Sequence, residues 1–335
     1  MKRQEMKELL NKLTHTFGPS GYEKQVRELI LENIKEFADE YKVDALGNLL
    51  VRKGTKKANG KRIMISAHMD EIGLMITHID EDGFAYAAPI GGINPLNCVS
   101  ARVVFENGVE GTVQTFEPRS TGRTPAMEKL YIDTGASSRE TCKVNVGDPA
   151  VFVGQFADLG DRWMSKTMDD RIGCLIAIET LKAVKDTPHE IWFVFSVQEE
   201  VGLCGAKTSA YAIDPEIGIA IDVTMSFDRP GLIEHGLKMG AGPCIKAKDG
   251  SLIGTPWLNN ALYDAADRAG VPYQVEVLRG AGTDAGAIQL TRSGVPSSAV
   301  SVACRYVHSP AEMVSVSDVE QSVKLLTEFV SQEIK

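Results

Sequence analysis

Four apolar runs in the chain end in side chains that can hold metal ions. Ile63–Ser66 leads into His68-Met69-Asp70 and Ile191–Val197 into Glu199-Glu200. Ile217–Ile221 leads into Asp222, and Ser298–Val302 into Arg305-Tyr306-Val307-His308. A fifth group, Asp169-Asp170-Arg171, stands just before a helical pattern and so falls on a loop. Two histidines and several carboxylates, with no cysteine among them, suit Zn²⁺ or Co²⁺, with Mn²⁺ a further choice. A shared carboxylate can bridge two such ions ~3.5–4 Å apart, an arrangement that activates water and polarises a carbonyl for hydrolysis.

Each signal has a plainer alternative. In His68-x-Asp70 the carboxylate can reach the second ring nitrogen and fix the tautomer of a metal-bound imidazole. The alternative is an ordinary structural histidine, the reading given to His15, His78, His189 and His235. Glu199 and Glu200 follow an apolar strand, where two adjacent carboxylates repel and lose hydration unless cations compensate. With cations present, one ligates while the other takes a proton from water. The alternative is a solvated acidic turn, which fits poorly with the flanking Val197 and Val201-Gly202-Leu203-Cys204-Gly205-Ala206. Asp169-Asp170 poses the same charge problem, and its alternative is a helix N-cap.

The elements that must position these groups follow from periodicity. Residues 3–16 and 22–37 carry apolar side chains at helical spacing, joined by the turn Gly18-Pro19-Ser20-Gly21, where Ser20 can cap the second helix. Strands are expected near Tyr41–Val43, Asn48–Arg52 and Arg62–Ser66. From about residue 165, helix and strand patterns alternate. Helices are expected over Arg171–Val184, Asn259–Ala269, Asp284–Arg292 and Val316–Ile334, with Asp284 able to cap its own helix. Strands are expected over Glu190–Val197, Ile217–Ile221, Tyr273–Val277 and Ser298–Val302. The alternation predicts an α/β fold, a mixed sheet flanked by helices, in which ligand sites form beyond the carboxyl ends of strands. Residues 73–162 differ: short β-type runs are separated by Gly, Asp and Pro turns, with a hairpin turn at Glu81-Asp82-Gly83 and a loop over Pro118–Glu128. They are read as a small β-rich domain inserted into a catalytic domain of residues 1–72 and 163–335.

Composition narrows the function classes. Of 335 residues, 43% are hydrophobic and 24% charged, ordinary for a globular chain with a sizeable core. A formal net charge of −9 argues against nucleic-acid binding and against an anionic membrane surface. The first residues carry charge but no apolar signal segment, and the six scattered cysteines form no C-x-x-C pair, so a cytoplasmic protein with free thiols is expected.

Six motifs occur in order: Ser66-Ala67-His68-Met69-Asp70-Glu71-Ile72-Gly73, Met168-Asp169-Asp170-Arg171-Ile172-Gly173, Val197-Gln198-Glu199-Glu200-Val201-Gly202, Ala220-Ile221-Asp222-Val223-Thr224, Gly282-Thr283-Asp284-Ala285-Gly286 and Arg305-Tyr306-Val307-His308-Ser309-Pro310. Over essentially its whole length the chain resembles the tetrahedral aminopeptidases, a family of di-metal peptidases that includes glutamyl aminopeptidases and proteins labelled cellulase M. The resemblance implies two divalent ions per subunit. Asp169 would bridge them, His68 and Asp222 would complete one site, and Glu200 and His308 the other. Glu199 would be the general base and Asp70 would orient His68. Asp170 would support, often through a cis peptide to Asp169. The β-rich segment would serve dimerisation, with dimers assembling into a tetrahedral dodecamer. The substrates implied are short peptides with a free N-terminus.

Two other enzyme classes share some of this equipment. An N-acyl amide deacylase could use the same metals. An endoglucanase needs carboxylates roughly 5–9.5 Å apart across a glycosidic bond, which adjacent Glu199 and Glu200 do not supply. Sugar platforms also favour aromatics, and of three tryptophans Trp192 lies within an apolar strand. A non-catalytic metal-binding scaffold is a third reading, disfavoured by the presence of Glu199. For side-chain preference, neutral aliphatic residues stand slightly ahead of glutamyl. Arg279 is read as an ordinary exposed residue ahead of a contact to an acidic substrate, Arg305 as structural and Cys304 as buried.

Overall fold

The computed structural model describes residues 3–117, 124–231 and 236–334. Residues 118–123 of the loop expected over Pro118–Glu128 lie outside that range, as does His235.

Four parallel strands, Glu190–Ser196, Arg62–His68, Ile217–Met225 and Ser297–Arg305, lie side by side in that order at the centre of an eleven-stranded mixed sheet. Their near-continuous apolar sequence is what a strand covered on both faces requires. Alternate residues serve opposite faces. Ile63, Ile65, Phe193 and Phe195 join one core cluster, while Met64, Trp192 and Val194 join another. The first face is covered by helices Met168–Ala183, Val316–Ser331, Pro256–Ala269, Arg3–His15 and Lys24–Ile34. The second is covered by Cys204–Ile213 and Asp284–Ile288. Antiparallel strands extend the sheet on both sides: Leu49–Lys53 and Glu40–Val43 at one edge, Glu312–Ser315, Arg162–Ser165 and Ala157–Asp158 at the other. No described helix is long and apolar enough to cross a membrane.

The helix Met168–Ala183 is buried on all sides through Leu181, as an apolar helix between a sheet and other helices must be. Its partner across the sheet, Cys204–Ile213, enters through Gly205. A Cβ there would stand 2.2 Å from Asn48 Oδ1 and 2.5 Å from the carbonyl of Val197, so the helix can approach the strand end only as glycine.

Between Arg62–His68 and Ala157–Asp158 the chain forms a closed six-stranded barrel. Its order is Gly73–Ile79, Ala85–Ile90, Leu130–Asp133, Glu110–Thr115, Arg102–Phe105, Pro149–Phe152. Leu74, Ile76, Val103, Phe105, Val113, Ile132 and Phe152 fill it. Closure removes the exposed edges that so short a set of strands would otherwise present. The hairpin turn expected at Glu81-Asp82-Gly83 joins its first two strands, with Gly83 N donating to Asp80 O.

Several elements differ from expectation. The helix at Asp284 stops at Ile288, and the strand Ile217–Met225 runs through Asp222 instead of ending before it. The strands Cys244–Lys248 and Glu312–Ser315 and the helix Cys204–Ile213 were not anticipated. Ser20 does not cap the second helix, and its hydroxyl donates to Asp70 instead. Asp284 does not cap its helix either, because Thr283 does, accepting from Ala285 N.

The link from sheet to barrel is pinned by a buried ionic cluster. Glu71 pairs with Lys166, accepts from Thr167 Oγ1 at 2.8 Å and lies 3.5 Å from Arg171 Nη2. Arg171 also donates to the carbonyls of Met69 and Thr16, at 2.7 and 3.0 Å. Removing one member of such a cluster strands the others without counter-charge. Glu71→Ala is therefore expected to lower stability by about 3–5 kcal/mol, read as a lower urea midpoint with an unchanged slope.

Candidate metal centre

The carboxyl ends of the four parallel strands bring the predicted groups together. His68 closes its strand, and its Nε2 is 3.0 Å from Asp169 Oδ1. The other oxygen of Asp169 is 3.3 Å from Nε2 of His308, which is also 3.3 Å from Glu200 Oε2. Asp169 owes its place to a break in the helix Met168–Ala183: residues 169 and 170 leave helical geometry, and the peptide between them is cis. Ligand atoms of His68, Asp169 and Glu200 lie within 4.8 Å of one another, as do those of His68, Asp170 and Asp222. The second group places Asp170 beside His68 and Asp222. Its Oδ1 accepts from Gly173 N, while its buried Oδ2 has no partner.

Both imidazoles are oriented for ligation. Nδ1 of His68 donates to the main-chain oxygen of Asp70 at 3.1 Å, with the Asp70 carboxylate 3.4 Å away. Nδ1 of His308 donates to the carbonyl of Gly92 at 2.6 Å. In a neutral ring this leaves each Nε2 lone pair facing the oxygens of Asp169. Two lone pairs aimed at one carboxylate repel unless positive charge stands between them. The pKa shifts express the same demand. Burial opposes charge on both rings, yet Asp169 and Asp70 hold His68 well above the usual histidine range, and Asp169 with Glu200 pushes His308 up to about 12. Despite its burial, Asp169 is held below the usual carboxylate range by the two histidines.

The other carboxylates lack enough such partners. Burial raises Asp170, Asp222, Glu199 and Glu200, and neighbouring carboxylates raise them further. A cluster of buried carboxylate oxygens and imidazole nitrogens, short of cations and holding an unpartnered oxygen, is a donor set that divalent ions fit. Glu199 stands apart from both ligand groups on the wall of a cavity of about 510 Å³, which His68, Asp169, Glu200, Asp222 and His308 also line.

Residues 47–325 match the model of the M42 glutamyl aminopeptidase family. The chain belongs to this family. That membership makes it a hydrolase of peptide bonds. A protein of Acetivibrio thermocellus provisionally named an aminopeptidase is 48% identical, over 98% of this chain and all of that one. An aminopeptidase from the archaeon Desulfurococcus kamchatkensis superposes with a TM-score of 0.95 at 38% identity, covering 99% of this chain and 98% of that one. The TET1 peptidase of Pyrococcus horikoshii, which can assemble into a tetrahedron or a large octahedral shell, gives 0.88 at 37% identity, covering 98% and 99%.

Within this M42 chain, several positioning groups escaped the sequence reading. Asp70 does more than face His68: its carboxylate accepts from Glu199 N at 2.9 Å, Glu200 N at 3.1 Å and Ser20 Oγ at 2.6 Å. Glu23 accepts from Gln198 N at 3.1 Å, and burial beside Asp70 pushes its pKa up to about 7. Glu312 accepts from Asp169 N at 2.9 Å and His308 N at 2.7 Å. Asp284 accepts from Ser66 and Ser196, both at 2.5 Å, beneath the strand ends. Only Gly-Pro-Ser-Gly and Gly-Thr-Asp-Ala-Gly hinted at these roles, since hydrogen bonds to main-chain N–H groups leave little trace in residue type. The histidines set aside are structural where described: His189 bonds Lys61 N and Gln332 O, His15 bonds Asn11 O, and His78 packs on Tyr86. Arg305 pairs with Asp228, Cys304 is buried with its thiol pKa raised, and Arg279 is exposed.

Glu312→Gln offers one acceptor where two N–H groups need one each. Activity is expected to fall about 10–100-fold with the fold retained, as read by steady-state rates beside circular dichroism.

Proposed function

We propose that this protein is a two-metal aminopeptidase that removes N-terminal residues from short peptides with a free amino terminus. The observation that carries the reading is the position of Asp169, one oxygen facing each imidazole, with Glu199 free on the cavity wall beside it. His68 and Asp222 would hold one ion, Glu200 and His308 the other, and Asp169 would face both. Asp170, grouped with His68 and Asp222, would support the first. Zn²⁺ and Co²⁺ suit this nitrogen–oxygen set best and Mn²⁺ next. When bound, the ions supply Lewis acidity toward water and the scissile carbonyl.

Glu199 is the general base. Burial and the nearby Asp222, Asp284 and Glu200 raise its proton affinity, the direction that a base working near neutrality needs. It takes the proton of the attacking water and returns it to the departing amine. Asp70 is a positioning residue. By accepting from the N–H groups of both Glu199 and Glu200, it fixes the base relative to its neighbouring ligand. The acidic surroundings suit the substrate's free ammonium group, which confines attack to the first peptide bond.

The assemblies formed by the Pyrococcus horikoshii relative support a homo-oligomer here. We assign residues 73–162, which contain the barrel, to dimerisation and residues 1–72 and 163–335 to catalysis, with dimers building a tetrahedral dodecamer. All six cysteines are free, the state a reducing cytoplasm maintains.

Chelation should abolish cleavage of Leu-p-nitroanilide, and Co²⁺ or Zn²⁺ should restore it. Glu199→Gln should retain bound metal by elemental analysis while losing about 10²–10⁴ in rate. Near-normal turnover by that variant would remove Glu199 as the base. Efficient cleavage of N-acetyl-Leu derivatives would move the function to a deacylase, and release of sugar from soluble cellulose to a glycosidase.

A further inference from the structure

Beyond the metal centre the same cavity is walled by Leu203, Val223, Met225, Leu278 and Val307. Among the described residues its lining includes one lysine and no arginine: Lys246, on the strand Cys244–Lys248. Lys246 is almost fully buried, and its ammonium is already claimed. It pairs with Glu276, and Asp249 Oδ2 lies 3.5 Å away. Thr224 Oγ1 donates to the same oxygen of Glu276 at 2.9 Å, locking the carboxylate in place. Glu276 and Asp249 are both fully buried, and each has an oxygen with no hydrogen-bond partner. Burial works against the charge on Lys246, but Glu276, Asp249 and Asp222 keep it protonated, raising its pKa.

We propose that the buried Lys246–Glu276–Asp249 cluster sets the side-chain preference of the enzyme, closing the pocket with a cation already neutralised so that it selects uncharged apolar N-terminal residues such as leucine and methionine. This deepens the aminopeptidase reading and rests on it. A substrate carboxylate entering here would join two carboxylates already around one ammonium, losing its water without gaining a counter-ion. A substrate ammonium would meet Lys246 first, because Glu276 and Asp249 lie behind it and do not line the cavity. An apolar side chain loses nothing and covers the five apolar walls. Glu276 is thus the specificity-determining residue: it touches no substrate but decides whether Lys246 is free to bind one.

The test compares kcat/KM for Leu-, Met-, Glu- and Lys-p-nitroanilides in the metal-loaded wild type, Glu276→Gln, and the double variant Lys246→Met/Glu276→Gln. The wild type should favour Leu and Met over Glu and Lys by roughly 10–100-fold. Glu276→Gln, nearly isosteric, should raise the Glu-to-Leu ratio by roughly tenfold or more, as a freed ammonium gains a charge-assisted bond to the substrate. The double variant should lose that gain. Asp249→Asn, which keeps the Oδ1 that accepts from Ser251 N and Leu252 N, should shift the ratio the same way and serves if Glu276→Gln does not fold. A wild type preferring Glu or Lys, an unchanged ratio in both single variants, or a gain that survives loss of Lys246 would each overturn the assignment. Thermal-shift titration with free leucine and glutamate reads the pocket without turnover. If no anilide is cleaved but leucine stabilises the wild type and glutamate only the single variants, the aminopeptidase reading fails and the pocket assignment stands.

Discussion

Buried negative charge is the constraint around which this molecule is organised. Asp169, Asp170, Glu199, Glu200 and Asp222 converge at the carboxyl edge of four parallel strands, largely out of water, with two imidazoles between them. Water would solvate such carboxylates at little cost, whereas a protein interior does so only with hydrogen bonds or cations. Asp170 and Asp222 accept one main-chain N–H each, while Asp70 and Glu312, which hold the ligand-bearing loops from behind, accept two each. The front-facing oxygens of Asp169, Asp170 and Asp222 are left short of protein donors. The fold therefore creates a demand for cations at one point, and the surrounding helices and strands supply the rigidity that keeps the demand from relaxing.

The same chemistry is handled differently a few residues away. Glu71 meets Lys166 and Arg171, and Glu276 meets Lys246, so those buried acids are answered by protein cations. Those paired acids fix geometry, whereas the carboxylates of the candidate metal centre are incompletely paired. This contrast separates the two roles more sharply than burial does, since Glu71 and Asp169 are both buried.

How far this could be read from the sequence depends on what kind of information each feature needs. The parallel strands were legible because burial on both faces demands long apolar runs, as in Ile191–Val197. The candidate ligands His68, Glu200, Asp222 and His308 were legible because polar groups at the ends of such runs are conspicuous. Asp284 and Ser20 were visible as residues but assigned to caps, the commonest local use of Asp and Ser. Their actual partners lie 218 and 50 residues away, at Ser66 and Asp70. The strand Cys244–Lys248 was missed because its alternating lysines conceal that Lys246 is buried. Periodicity reports local faces, and no local signal reveals that a lysine has found two carboxylates.

The barrel bears on the metal centre as well as on its own packing. Gly92 and Asn97, both in the segment after the strand Ala85–Ile90, hold His308 from two directions. The Gly92 carbonyl accepts from its ring, and Asn97 Nδ2 donates to its main-chain oxygen at 3.0 Å. A Cβ on Gly92 would come 3.1 Å from that ring, so a larger residue would press the imidazole by a few tenths of an ångström. His308 lies three residues beyond its strand with a positive φ of 60°, a conformation that needs outside support. The insertion supplies that support. One candidate ligand is thus oriented by a part of the chain that contributes no candidate ligand itself.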